Sequence, residues 1–193
     1  MDHKQGPSAT GQSAKTEPNL RRGLITVFTG DGRGKTSAAI GTAVRAAGHG
    51  FKVFIIFFMK GPDFIHGEVE SLKNIPNVKL LSFGAHGWAK PDQDNRRHSL
   101  EAIKALNYAA SAVHFKECDL LILDEIISAI SFGLLSTDTV MQVISGKRNS
   151  LELILTGRGA PSIIIDRADL VTQMCNLKHP FDKGIPAREG IDY

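Results

Sequence analysis

The chain has 193 residues, 42% hydrophobic and 22% charged, a balance that fits one globular domain with a real core and argues against a disordered or fibrous protein. Its formal charge of +3 suits a small polyanion and gives weak grounds for nucleic-acid binding. Two distant cysteines, Cys118 and Cys175, form no disulfide framework or C-x-x-C zinc site, and the longest apolar run, VFIIFFM (53–59), falls well short of the ~20 residues of a membrane helix, so a reduced, cytoplasmic setting away from membranes is expected.

Residues 1–22, MDHKQGPSATGQSAKTEPNLRR, are polar throughout and carry no apolar signal segment. Such a stretch cannot bury enough surface to offset its ordering entropy, which predicts a disordered tail with Leu20 as its one aliphatic anchor after Met1. A single domain is expected over 23–193. Its first strand is LITVFTG (24–30), a β-branched and aromatic run ending in glycine. The small apolar residues of 35–50 predict a helix packed on both sides. Strands follow at 52–58 and 78–83, with a short helix at 67–73 between them. Leu100, Ile103, Leu106, Tyr108, Ala109 and Val113 recur at helical spacing within 92–117, after a Pro-Asp start. CDLLILDE (118–125) predicts a fourth strand ending in two acids, and 126–135 and 137–146 are helical pieces. A fifth strand at 151–157, a short helix at 160–168 and a sixth strand at 170–177 complete the pattern. The segment from Lys178 onward has no periodicity and is expected to wrap over the surface. Strands apolar on both faces, alternating with helices, predict an α/β fold of the P-loop NTPase type: a mostly parallel six-stranded sheet with helices on both faces.

The chemistry starts at FTGDGRGKTS (28–37), set between a strand and a helix. Gly30, Gly32 and Gly34 can turn successive backbone N–H groups inward as an anion-binding nest, and the helix beginning at Lys35 adds its positive end. Lys35 offers a cation to phosphate oxygens and Thr36 a hydroxyl to magnesium. The pattern departs from the common phosphate loop at Thr29, where glycine is usual. The plainer alternative is a glycine turn that only permits close strand–helix packing. A magnesium nucleotide needs acid at the end of a neighbouring strand, and Asp124 and Glu125 supply it; the competing role for these acids is capping the next helix. TGRGAP (156–161) follows another strand, and Arg158 within it reads equally as a phosphate contact or as a solvent-facing arginine in a turn.

Taken together, the blocks GLITVFTGDGRGKTSAAIGTAVRAAGHG, DLLILDE, LILTGRGAP, ADLVTQM and KHPFDKGIPAREGIDY resemble, in order, the phosphate-loop ATP:corrinoid adenosyltransferases of cobalamin biosynthesis and salvage. The resemblance covers residues 23–193. It implies a transferase in which Co(I) of a reduced corrinoid attacks C5′ of ATP and the whole triphosphate leaves. It implies that Gly30, Asp31, Gly32, Arg33, Gly34, Lys35, Thr36 and Ser37 bind ATP, with Asp31 near the ribose. Thr36 and Glu125 would hold Mg2+ (or Mn2+), and Lys35, Glu125 and Arg158 would stabilise the departing charge. It also implies a homodimer and an electron-donating reductase as partners. In the family, aromatic residues after the third strand pack where the corrinoid loses its lower axial ligand. Here SFGAHGWAK (82–90) supplies Trp88, while His86 stands where the family has phenylalanine and Phe83 is the candidate substitute. His86 reads either as a contact to cobalt or a corrinoid amide, or as an ordinary polar loop residue.

Overall fold

The computed structural model describes residues 20, 22–63, 67–87, 89, 95–116 and 118–192. The tail at 1–19 and Trp88 lie outside the described residues. Six short strands carry the apolar runs of the sequence: β1 (Ile25–Thr29), β2 (Val53–Phe57), β3 (Val78–Ser82), β4 (Leu120–Asp124), β5 (Glu152–Thr156) and β6 (Leu170–Gln173). They form one sheet in the order β3-β2-β4-β5-β1-β6, and every pairing is parallel. The expectation of a mostly parallel sheet is therefore met by a fully parallel one.

A strand alternates sides every residue, so strands buried twice must be apolar throughout, and here each face has its own core. Ile25, Val27, Ile56, Leu121, Leu123, Leu153 and Leu155 point to one face. There they meet α3 (Arg96–Ala112), α4 (Ile126–Ser131), α5 (Thr137–Ser145) and α6 (Ser162–Arg167) through Ala105, Ala109, Ile127, Val140 and Ile164. Val53, Ile55, Phe57, Leu120, Ile122 and Ile154 point to the other face, against Ala39 and Ala43 of α1 (Lys35–Gly48) and Leu72 of α2 (Gly67–Leu72). The sheet is covered on both sides.

Several boundaries differ from the sequence reading. In α1 only Lys35, Ala39 and Ala43 are buried, one residue per turn, and Val44 is 46% exposed. This is a one-faced helix, because the neighbouring small residues face solvent where a doubly packed helix would meet a second layer. The helix expected to 135 stops at Ser131, where Gly133 takes a φ of 69° and ends the turn. β6 ends at Gln173 rather than 177, and all four of its residues are exposed along the sheet edge. Beyond it, the chain forms a 3-10 turn at Pro180–Lys183 and returns to the phosphate loop.

Candidate active site

The carboxyl ends of β1, β4 and β5 gather on one edge of the sheet, where ligands of open parallel sheets bind. β4 is not the immediate neighbour of β1, as the sequence reading had it. β5 lies between them, and its last residue, Thr156, ties the two ends together.

The loop 30–34 is held tightly against the end of β6. Gly30 (φ 95°) and Gly34 (φ 110°) are left-handed, and a Cβ on Gly30 would stand 2.3 Å from the Met174 carbonyl oxygen. The N–H of Gly32 donates to Met174 O at 2.8 Å. The glycines thus serve close packing as well as loop shape, and the Gly32 N–H faces β6 rather than a nest. Lys35 folds back over the loop, its Nζ donating to Gly30 O at 2.7 Å and Gly32 O at 2.8 Å. Two of its three donors are used, and one remains for a ligand. Burial pushes the Lys35 pKa down from the ordinary lysine value, a shift that Glu125 opposes and the Arg158 charge reinforces. Both groups therefore act on the loop. Asp31 and Asp124 contribute in the same sense as Glu125. Thr36 and Ser37 lie in the first turn of α1, whose first N–H groups have no intrahelical acceptor and receive no side-chain cap.

Thr29 has a structural reason. It is 7% exposed, and its Oγ1 accepts the Ala160 N–H at 3.3 Å, tying the end of β1 to the loop that carries Arg158. Glycine could not make that bond.

The acids are wired together. Asp124, 1% exposed, accepts from Thr156 Oγ1 at 2.7 Å through Oδ1, while Thr156 Oγ1 in turn accepts the Glu125 N–H at 2.8 Å. Asp124 Oδ2 has no hydrogen bond of good geometry, though Lys60 Nζ stands 3.1 Å away as a charge partner. Glu125 has a φ of 61°, a left-handed conformation that costs a non-glycine residue of order 1–3 kcal/mol. Its side chain does not cap α4; Ser128 Oγ donates to its Oε2 in a short bond. Ser128 Oγ also accepts the Arg158 N–H at 3.0 Å, and Gly157 packs so closely that a Cβ there would lie 2.4 Å from Ser128 N. The capping reading of the two acids is therefore replaced by a network running Asp124, Thr156, Glu125, Ser128, Arg158. Arg158 itself is exposed, so its guanidinium is accessible, and its charge is felt at Lys35.

Arg33 turns away from this network. Its guanidinium pairs with Asp192 at 2.6 Å and donates to Ile191 O, so the end of the chain is strapped to the phosphate loop. Phe83 lies after β3, half-buried, with its ring 5.3 Å from that of Tyr108 on α3. His86 Nδ1 lies 2.8 Å from Asp63 Oδ1, and Gly87 N–H donates to Asp63 Oδ2 at 2.8 Å. The Gly87 N–H, with help from His86, holds the Asp63 carboxyl below the usual aspartate value. His86 is thus tied, through one ring nitrogen, to the segment that follows β2.

Sequence reasoning missed Lys60, Thr156, Ser128 and Asp63, and it placed Tyr108 only in a helix pattern, not beside Phe83. Thr156 and Ser128 left one usable signal, a hydroxyl at a strand end before glycine and another three residues after Glu125. Thr36, Glu125 and Asp124 all offer oxygen, the ligand type that a hard divalent cation such as magnesium takes, and of these Asp124 Oδ2 already faces the Lys60 ammonium.

Residues 21–193 match the family described as "ATP:corrinoid adenosyltransferase BtuR/CobO/CobP". The chain is 35% identical over 172 residues to the "Corrinoid adenosyltransferase" of Escherichia coli (strain K12), a match spanning 89% of this chain and 86% of that protein. It is 34% identical over 172 residues to the "Corrinoid adenosyltransferase" of Pseudomonas aeruginosa, covering 89% and 84%. It is likewise 34% identical over 172 residues to the "Corrinoid adenosyltransferase CobA" of Salmonella typhimurium, covering 89% and 86%.

Proposed function

The chain belongs to the ATP:corrinoid adenosyltransferase family, and from that premise we propose which of its residues carry the reaction. The reaction moves the 5′-deoxyadenosyl group of ATP to the Co(I) centre of a corrinoid, in the chemistry of cobalamin biosynthesis. The cobalt electron pair forms the bond to C5′, and the C5′–O bond breaks with its pair leaving on triphosphate. Such a step needs alignment of cobalt, C5′ and the leaving oxygen, and charge to receive the triphosphate. It needs no general base.

The loop 30–34 and the start of α1 hold the triphosphate, with Lys35, Thr36 and Ser37 facing its oxygens and Asp31 near the ribose. Lys35 and Arg158 stabilise the charge that grows on the leaving group. Thr36 and Glu125 hold the magnesium ion, with Asp124 behind them; bound there, the ion supplies further positive charge to the triphosphate. Arg33 shapes the loop from outside through its pair with Asp192. The corrinoid lies beyond the carboxyl ends of β2 and β3, beside the loop that carries Phe83 and Trp88. Tyr108, 53% exposed, sets a second ring beside that of Phe83. The observation that carries the reading is the network that ties Glu125 through Ser128 to the Arg158 backbone, at the same carboxyl edge as the loop that Lys35 closes over.

Two partners are part of the same proposal: a second copy of this chain and a reductase that delivers the electron for Co(I). Sedimentation at micromolar concentration reads the first, and a mass near twice 20.9 kDa is expected.

Purified protein with ATP, magnesium and chemically reduced cobalamin will form a light-sensitive Co–C product, seen by absorbance, together with triphosphate. Lys35→Ala and Glu125→Ala will each lose roughly 100-fold or more in turnover, the scale of removing one preorganised charge-stabilising group. Orthophosphate release without the Co–C product, or variants within twofold of the parent, would overturn the assignment.

A further inference from the structure

Lys60 lies just past β2, in a stretch that the sequence marks only as the end of an apolar run, FFMKG. Its side chain is 12% exposed. The ammonium lies 3.1 Å from Asp124 Oδ2, 3.4 Å from Glu68 Oε1 and 4.4 Å from the centre of the Phe57 ring. The backbone on both sides of the Lys60–Asp124 contact is unusual. Met59, directly before Lys60, has a φ of 59°, and Glu125, directly after Asp124, has a φ of 61°. Two non-glycine residues in the left-handed region thus flank one ion pair, on adjacent strands. Left-handed backbone at such residues persists only where the surroundings over-determine it, and it gathers at functional sites. Stability alone is a poor account of the pair, because buried ion pairs are often no better than apolar packing.

We infer that Lys60 is a positioning residue of the nucleotide site, one that acts on Glu125 through Asp124 and Thr156. The links are all present. Lys60 fixes the Asp124 carboxylate from the β2 side, Asp124 Oδ1 orients the Thr156 hydroxyl, and Thr156 Oγ1 accepts the Glu125 N–H. Without the ammonium, Asp124 loses its second anchor, and the turn that aims the Glu125 carboxylate loosens. Lys60 also joins the two halves of the edge, since its own N–H donates to Phe83 O at 3.0 Å and Gly61 packs against Gly84 and Ala85. The inference rests on the reading of this edge as the magnesium-nucleotide site.

The test measures the dissociation constant of ATP by calorimetry, with magnesium and with chelator, in the absence of corrinoid. Lys60→Met is expected to weaken magnesium-dependent ATP binding roughly ten- to a hundredfold, the usual effect of removing a group that orients a metal ligand. Binding in chelator should change less than about threefold, and Lys60→Arg should restore most of the loss. Asp124→Asn should weaken binding by a similar factor. The Lys60→Met/Asp124→Asn pair should be no weaker than Asp124→Asn alone within about twofold, because both changes cut one path. Losses that multiply in the double variant would mean that Lys60 touches the nucleotide itself, and would overturn the assignment. If Lys60→Met alone fails to fold, the double variant, which leaves no unpaired buried charge, decides against Asp124→Asn. Lys35→Ala is measured alongside. Should it bind Mg-ATP as tightly as the parent, the nucleotide site falls and this assignment with it. A normal Lys35→Ala loss beside multiplying losses overturns the Lys60 role only.

Discussion

Ser128 serves two loops at once, donating to the Glu125 carboxylate and accepting from the Arg158 N–H. A hydrogen bond to a charged group contributes about 1.5–3 kcal/mol, so Ser128→Ala should lower kcat/KM for ATP roughly tenfold to a hundredfold. The expected drop in thermal midpoint is only a few degrees, since no large side chain is removed. Steady-state kinetics and a melting curve on the same sample check both parts; unchanged kinetics would remove Ser128 from the machinery. The two cysteines separate as sharply. Burial pushes the Cys118 thiol up to about 12, whereas Cys175 is exposed. A thiol that high carries almost no thiolate at pH 8, so a disulfide reagent should titrate one thiol in the folded protein and two after denaturation. Lys35, Thr36, Glu125 and Arg158 stand out as candidates in the sequence because charge or spacing marks them. Ser128 and Thr156 do not, because their role depends on which strands lie side by side.

At the scale of elements, the strands could be read because a parallel sheet buried on both faces writes itself as unbroken apolar runs. Their order could not. The placement of β5 between β1 and β4 is set by crossover connections, which leave no trace in composition. That placement puts Gly157 in a tight corner against α4, with a φ of 139° and no space for a Cβ beside Ser128. Gly157→Ala should therefore combine backbone strain with a clash, at roughly 2 kcal/mol or more. For a chain of this size that corresponds to a fall of about 4–8 °C in thermal midpoint, measurable by calorimetry. Gly41, in the middle of α1 with open space around it, is the contrast. There alanine removes backbone freedom from the unfolded chain and adds helix propensity, so Gly41→Ala should raise the midpoint slightly.

For the whole molecule, the sequence reading placed the end of the chain only as a surface wrap, and the structure gives that wrap a destination. The segment after β6 runs outward past Leu177 and Phe181, both exposed, and returns so that Asp192 meets Arg33 on the phosphate loop and Arg188 beside it. Arg188, by side chain and backbone, holds the Asp192 carboxyl below the usual aspartate value, with Arg33 adding to the effect. A depressed carboxyl contributes its stabilisation above its unfolded pKa and loses it as pH falls through the lower folded value, so the strap is intact at neutral pH. Ion pairs at a surface add little to global stability and are screened by salt. Asp192→Asn should therefore leave the thermal midpoint nearly unchanged while raising the KM for ATP severalfold, because the loop proposed to grip the triphosphate loses its outer tether. The ratio of the two KM values is the informative quantity. The Debye length shrinks from about 10 Å at 0.1 M salt to about 3 Å at 1 M, so the ratio should approach one as salt rises if charge carries the tether. A raised ratio that stays constant with salt would mean that charge does not carry the tether, and a ratio near one at every salt would assign it to the bond that the Arg33 guanidinium donates to the Ile191 carbonyl.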